Sequence, residues 1–212
     1  MLQPIFNLIE WLKGKVLVKI FVIYLRYLIG FAFVFASLVK MQGERFTQID
    51  LKNPIGHFFE AMYQTGWYWQ FLGWSQFFAG VLLLTQRFAT VGALVFLPII
   101  LNIFVITHAI DFGSGTPIIT SLMLLGNVFL ILWDYRKWMI LFEEDHQIKL
   151  DLSGTKDAFM TDKIWSVTGL IFLGLTLVFY QFKAEKGAFL YLVFSLPVIG
   201  LTALAYKLSK HK

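Results

Sequence analysis

The sequence contains no cysteine, few prolines (5 in 212 positions) and few charged residues (15%). Without thiols the chain makes no disulfide, thiolate metal centre or dithiol redox pair of its own. Scarce charge is the more restrictive lack. A soluble domain is about 25% charged and about 45–50% apolar, whereas this chain is 58% apolar with a mean hydropathy of +0.70. A single water-facing core has no room for that excess, so the solvent must be a lipid bilayer. A soluble enzyme, a disordered tail and a nucleic-acid-binding module are excluded on these grounds, and the net charge of +5 has to be read by position. No phosphate loop, nucleophile elbow, zinc-protease motif or internal repeat is found.

What is present is a series of long apolar runs, at residues 16–39, 67–86, 88–110, 117–133, 164–182 and 188–206. Each approaches the ~20 residues that a helix needs to cross a hydrocarbon core about 30 Å thick. The fold class is therefore all-α: a polytopic membrane protein of six spans, with a four-helix bundle over residues 16–138, a cytoplasmic loop at 139–163 and a two-span C-terminal hairpin at 164–206. Residues 1–15 are not a cleaved signal, because the apolar run after them is too long and no small-residue cleavage site follows. Ile5, Phe6, Ile9 and Leu12 instead suit a short interfacial helix. In the first outer loop Asn53 and Pro54 open an amphipathic helix, residues 54–66, with Ile55, Phe58, Phe59, Met62 and Tyr63 on one face. Thr116 reads as an N-cap before Pro117, and Pro98 and Pro197 should kink their spans. The Gln147–Leu152 alternation reads as a short strand. Lysine and arginine are more abundant in the loops that lie on the side of the N-terminus, which assigns both termini to the cytoplasm.

Arg26 falls near the middle of the first span, where an arginine costs about 2.5–3.5 kcal/mol to insert. Gln76, Asn102 and Asn127 fall near the middle of the next three. No carboxylate is read at that depth. The four form a shared polar layer in which Arg26 satisfies its donors with amide oxygens or a ligand, so Arg26, Gln76, Asn102 and Asn127 are the candidate ligand-binding residues. The alternative is that the amides only join the helices. On the outer side, His57 and Glu60, and His108 and Asp111, are each three residues apart. His108 held by Asp111 is the candidate catalytic proton donor. The order His then acid reverses the usual di-metal pattern, and no metal is assigned.

The run Arg26-Tyr-Leu-Ile-Gly30, Phe33 and Lys40, followed by Leu72-Gly-Trp-Ser-Gln76 and Gly80-Val-Leu-Leu-Leu84, resembles the DoxX family of four-span bacterial membrane proteins. The resemblance covers residues 16–138 and leaves the C-terminal hairpin outside. Where the family commonly carries a glutamate this chain has Gln76, which removes an expected ion pair with Arg26. The resemblance implies a bacterial inner-membrane protein: an accessory or ligand-binding subunit of a quinone-linked redox or oxidative-stress system, with a quinone or small anion at Arg26 and the catalytic cofactor on a partner subunit. The rival expectation is a membrane chaperone for a client membrane protein, or a lipid-binding protein; a transporter ranks third. No nucleic acid is expected as a partner.

Overall fold

The computed structural model describes residues 3–110, 112–113, 115–139, 157–181 and 186–209, and no strand occurs among them. The Gln147–Leu152 alternation and Asp111 lie outside the described residues. A short α1 (Gln3–Lys13) precedes the long α2 (Val16–Met41), and α3 (Pro54–Gln64) follows an irregular loop. Then come α4 (Trp67–Leu84), α5 (Ala89–Ala109), α6 (Gly115–Trp133), the short α7 (Tyr135–Met139), α8 (Lys163–Gln181) and α9 (Lys186–Ser209).

Local chemistry accounts for several boundaries. Asn53 Oδ1 accepts from the Ile55 N–H at 2.9 Å and Pro54 occupies the first helical position, so α3 starts where the sequence places it. α6 starts at Gly115, ahead of the expected Thr116 cap, and Pro117 sits in the first turn, where its missing N–H costs nothing. α5 and α9 run on through Pro98 and Pro197.

Four helices, α2, α5, α6 and α8, are long and apolar enough to cross a membrane. Val95, Leu122, Leu125 and Leu170 are exposed on their outward faces. Apolar side chains over so wide an outer surface require lipid rather than water, and the chain is a multi-pass membrane protein.

The centre of the molecule is the antiparallel pair α2 and α4. A Cβ on Gly30 would lie 2.9 Å from the Gly80 carbonyl oxygen, and one on Gly80 would lie 2.8 Å from that of Gly30. Only glycine at both positions lets the backbones approach so closely. α5 and α6 pack on one side of this pair around Phe33, Leu83, Phe96, Ile100, Leu130 and Trp133. α8 and α9 pack on the other side around Tyr27, Leu84, Trp165, Phe172 and Ala203. The Tyr27 hydroxyl donates to the Trp165 carbonyl (2.5 Å) and Ser166 donates to that of Thr85 (2.6 Å). α1, α7, the α4–α5 turn, the start of α8 and the end of α9 gather at one end of the bundle, the N-terminal end. There Phe6 stacks on Tyr135 (4.3 Å between centroids) and Lys207 pairs with Asp162. α3 closes the far end, with Phe59 against Phe46 and Phe112.

Candidate functional site at the N-terminal end

At 1.5 Å per residue α2 is about 39 Å long, longer than the helices it packs against. Gly30 faces Gly80 in the antiparallel pair, so one turn earlier Arg26 stands level with Leu84, the last residue of α4. Arg26 is therefore at the N-terminal end of the bundle and not in a mid-depth layer. It meets two residues that stand just beyond the ends of α4 and α6. Its Nη2 donates to Asp134 Oδ2 at 2.8 Å, and its Nη1 donates to Gln86 Oε1 at 3.2 Å. The expected partners Gln76, Asn102 and Asn127 are replaced by a carboxylate and a different amide. The physical reason is that a buried guanidinium is held most favourably by an opposite charge, and the end of α6 brings one within reach.

The network continues. The second lone-pair direction of Asp134 Oδ2 takes the Thr90 hydroxyl (2.9 Å), and Oδ1 takes Lys137 Nζ (2.7 Å). Gln86 Nε2 donates to the Ile23 carbonyl at 3.2 Å. Burial raises the Asp134 carboxyl, but the charges of Arg26 and Lys137 and the hydrogen bonds from Lys137 and Thr90 outweigh it and hold the group below its ordinary value. Gln86 has φ +58°, the left-handed region. A glutamine kept there, with both amide ends bonded, marks a turn shaped around the arginine.

Above this floor opens a cleft of ≈ 660 Å³ lined by Lys13, Arg26, Arg87, Arg136, Lys137 and Lys163 against Glu10, Asp134 and Asp157. Glu10 is shared by Lys13 (2.8 Å) and Arg136 (3.1 Å), and Asp157 pairs with Lys19. Among the described lining residues cations outnumber anions two to one. Trp133, Met160, Val167 and Leu170 add an apolar wall.

The remaining predicted residues separate. Gln76 is buried (2% exposed), and its Oε1 has no partner among the described residues. Asn127 is fully buried and donates from Nδ2 to the Ala93 carbonyl at 3.1 Å, joining α6 to α5. Asn102 is exposed on the outer face of α5 and takes no part in a layer. His108 Nδ1 lies 2.7 Å from the Phe104 carbonyl, which only accepts, so that nitrogen carries the proton. Its Nε2 lies 3.3 Å from Ser121 Oγ. Both ring nitrogens are thus engaged by α5 and α6, and Asp111, the expected partner, lies outside the described residues. At the far end Glu60 is held bidentately by Arg45 (2.8 and 3.0 Å) rather than by His57. No group of three or more histidines and carboxylates suited to a metal occurs among the described residues. The far-end cavity (≈ 370 Å³) carries this paired Arg45 and Glu60 on its wall.

Gln86, Thr90, Arg87, Asp134 and Lys163 were missed by sequence reasoning because each stands at a helix end, where polar residues are ordinary. The cluster Asp134-Tyr-Arg-Lys137, directly after an apolar span, was the one available signal.

No family model matches the chain, and no solved structure matches it. A curated protein of Bacillus subtilis (strain 168), the uncharacterized protein YwoB, is 39% identical over 76 residues, which are 35% of this chain and 47% of that protein. The chain spans about half the length of the curated relative that it matches.

Proposed function

We propose that the chain is a ligand-binding subunit of the bacterial inner membrane whose site is the cleft over Arg26 and Asp134. The observation that carries this reading is the cationic cleft itself, floored by a buried ion pair and walled on one side by apolar residues. α4 and α9 are read as spans in addition to the four apolar ones: α4 runs antiparallel to α2, and α9 returns the chain to the end where α8 began. That makes six spans with both termini at one end, and the excess of lysine and arginine there favours a cytoplasmic position. The four helices α2, α4, α5 and α6 are read as a DoxX-like bundle, on the residues of α2 and α4 that carry the resemblance. An accessory role beside a quinone-linked redox partner rests on that resemblance alone, since a neutral quinone gives the surplus cations nothing to neutralise.

The test is extraction of the full chain from bacterial inner membranes in polymer discs, followed by analysis of bound small molecules and copurifying subunits. A stoichiometric ligand is expected on the wild type and absent from Arg26→Met/Asp134→Leu. A ligand carried equally by both proteins overturns the assignment of the site.

A further inference from the structure

The acids of the cleft are already engaged, each by one or two cations. Among the described residues, two cations on its wall are left over. Arg87, in the α4–α5 turn, and Lys163, the first residue of α8, are exposed, and neither makes an ion pair with a described residue. Asp162, next to Lys163, is occupied by Lys207. From Lys163 a single face of α8 continues through Val167 (53% exposed) and Leu170 (52%), which line the same cleft, to Gly174 and Val178, both exposed. The spacing of four, three, four and four residues keeps them on one helical stripe, and nothing stands within 4 Å of the position a Gly174 Cβ would take. Cations at the end of a helix apolar enough to cross a membrane, above an exposed apolar stripe, match a molecule with an anionic head at the interface and a chain in the hydrocarbon.

We propose that the cleft holds the phosphodiester head of an anionic phospholipid, with Arg87 and Lys163 on the phosphate and Val167 and Leu170 against the first carbons of an acyl chain. This rests on the cleft being the ligand site proposed above and names the class of ligand. It also requires a preference set by net charge, because a zwitterionic lipid brings its own cation to a wall that already has too many.

The experiment is native mass spectrometry of the delipidated full chain in detergent, titrated separately with dioleoylphosphatidylglycerol, dioleoylphosphatidylcholine and inorganic phosphate. One molecule of the glycerol lipid should bind at least tenfold more tightly than the choline lipid. Arg87→Gln/Lys163→Gln should remove that preference while leaving the thermal midpoint in place, and Val167→Asn/Leu170→Asn should weaken both lipids. Equal binding of the two lipids, an unchanged preference in the arginine and lysine variant, or displacement of the lipid by equimolar inorganic phosphate overturns the proposal. If a different amphiphile is recovered from native membranes in an Arg26-dependent manner, the cleft stands as a site and only the lipid assignment falls. If wild type and Arg26→Met/Asp134→Leu carry the same ligands, the site itself falls.

Discussion

Arg26 and Asp134 are 108 positions apart in the chain and 2.8 Å apart in space. Removing one member of such a buried pair leaves an uncompensated charge and costs about 3–5 kcal/mol, whereas replacing both with apolar groups of similar volume is often neutral. Asp134→Asn should therefore lower the thermal midpoint measured by scanning fluorimetry in detergent, and Arg26→Met/Asp134→Leu should recover most of the loss. A double variant as unstable as the single one would show that the pair is not the origin of the effect. The same carboxylate sets an acid limit. Its folded pKa is depressed, so its stabilising contribution is complete above the unfolded value of about 3.9 and is lost as pH falls through the lower folded value. The midpoint of the wild type should be level between about pH 7 and 5 with respect to this group and fall below about pH 4, while Asp134→Asn should lack that component of the fall. Gln86 belongs to the same argument. Gln86→Gly relieves a left-handed glutamine but deletes two buried hydrogen bonds worth about 1 kcal/mol each, so the variant should be no more stable than the wild type.

Helices here are placed by where side chains are missing as much as by where they are large. α8 crosses the end of α4 with Gly169 set against the Leu84 carbonyl, so that any Cβ would overlap it. Gly169→Ala should push α8 away from α4, at a cost of about 1–3 kcal/mol as for an overpacked core. It should also speed hydrogen exchange at the start of α8, because the Ser166 to Thr85 and Tyr27 to Trp165 hydrogen bonds are made across this contact. Unchanged exchange over residues 163–170 would mean that the hairpin is held elsewhere. Asn127 acts differently. Its amide bridges to the Ala93 carbonyl on α5, and such interhelical bonds contribute about 0.6–2 kcal/mol, which makes it a fastener between two spans.

Across the whole molecule the charges are distributed unevenly. Lys13, Lys15, Lys19, Arg87, Arg136, Lys137, Lys163 and Lys207 belong to the N-terminal end, against Lys40, Arg45, Lys52 and Lys186 at the other. In the orientation proposed above, which rests on the positive-inside bias, the first group faces the cytoplasm. The chain has no cysteine, so single introduced thiols report without background. In intact cells Gln48→Cys should react with a membrane-impermeant maleimide, and Ser209→Cys should react only after lysis. Labelling of Ser209→Cys alone would reverse the proposed orientation, and labelling of both would rule out the six spans proposed above.

Hydropathy and its interruptions determined that the chain is helical, that it belongs in a bilayer, and where its helices begin and end to within a few residues, because burying backbone in lipid leaves the helix as the one open-chain solution. Asn53 and Pro54 made even the surface helix α3 legible, since cap chemistry is local. The site was legible only as Arg26. Its depth was misread because sequence measures position along one helix, while depth depends on where the neighbouring helices stop, and α4 stops at Leu84. Its partners were misread because Asp134 and Gln86 reach it through tertiary packing, from positions where a polar residue needs no explanation. The amides that did sit mid-span went separate ways, Asn127 and Gln76 inward and Asn102 outward, because the rotation of each helix is set by the surfaces it packs against and not by the position of a residue along its length.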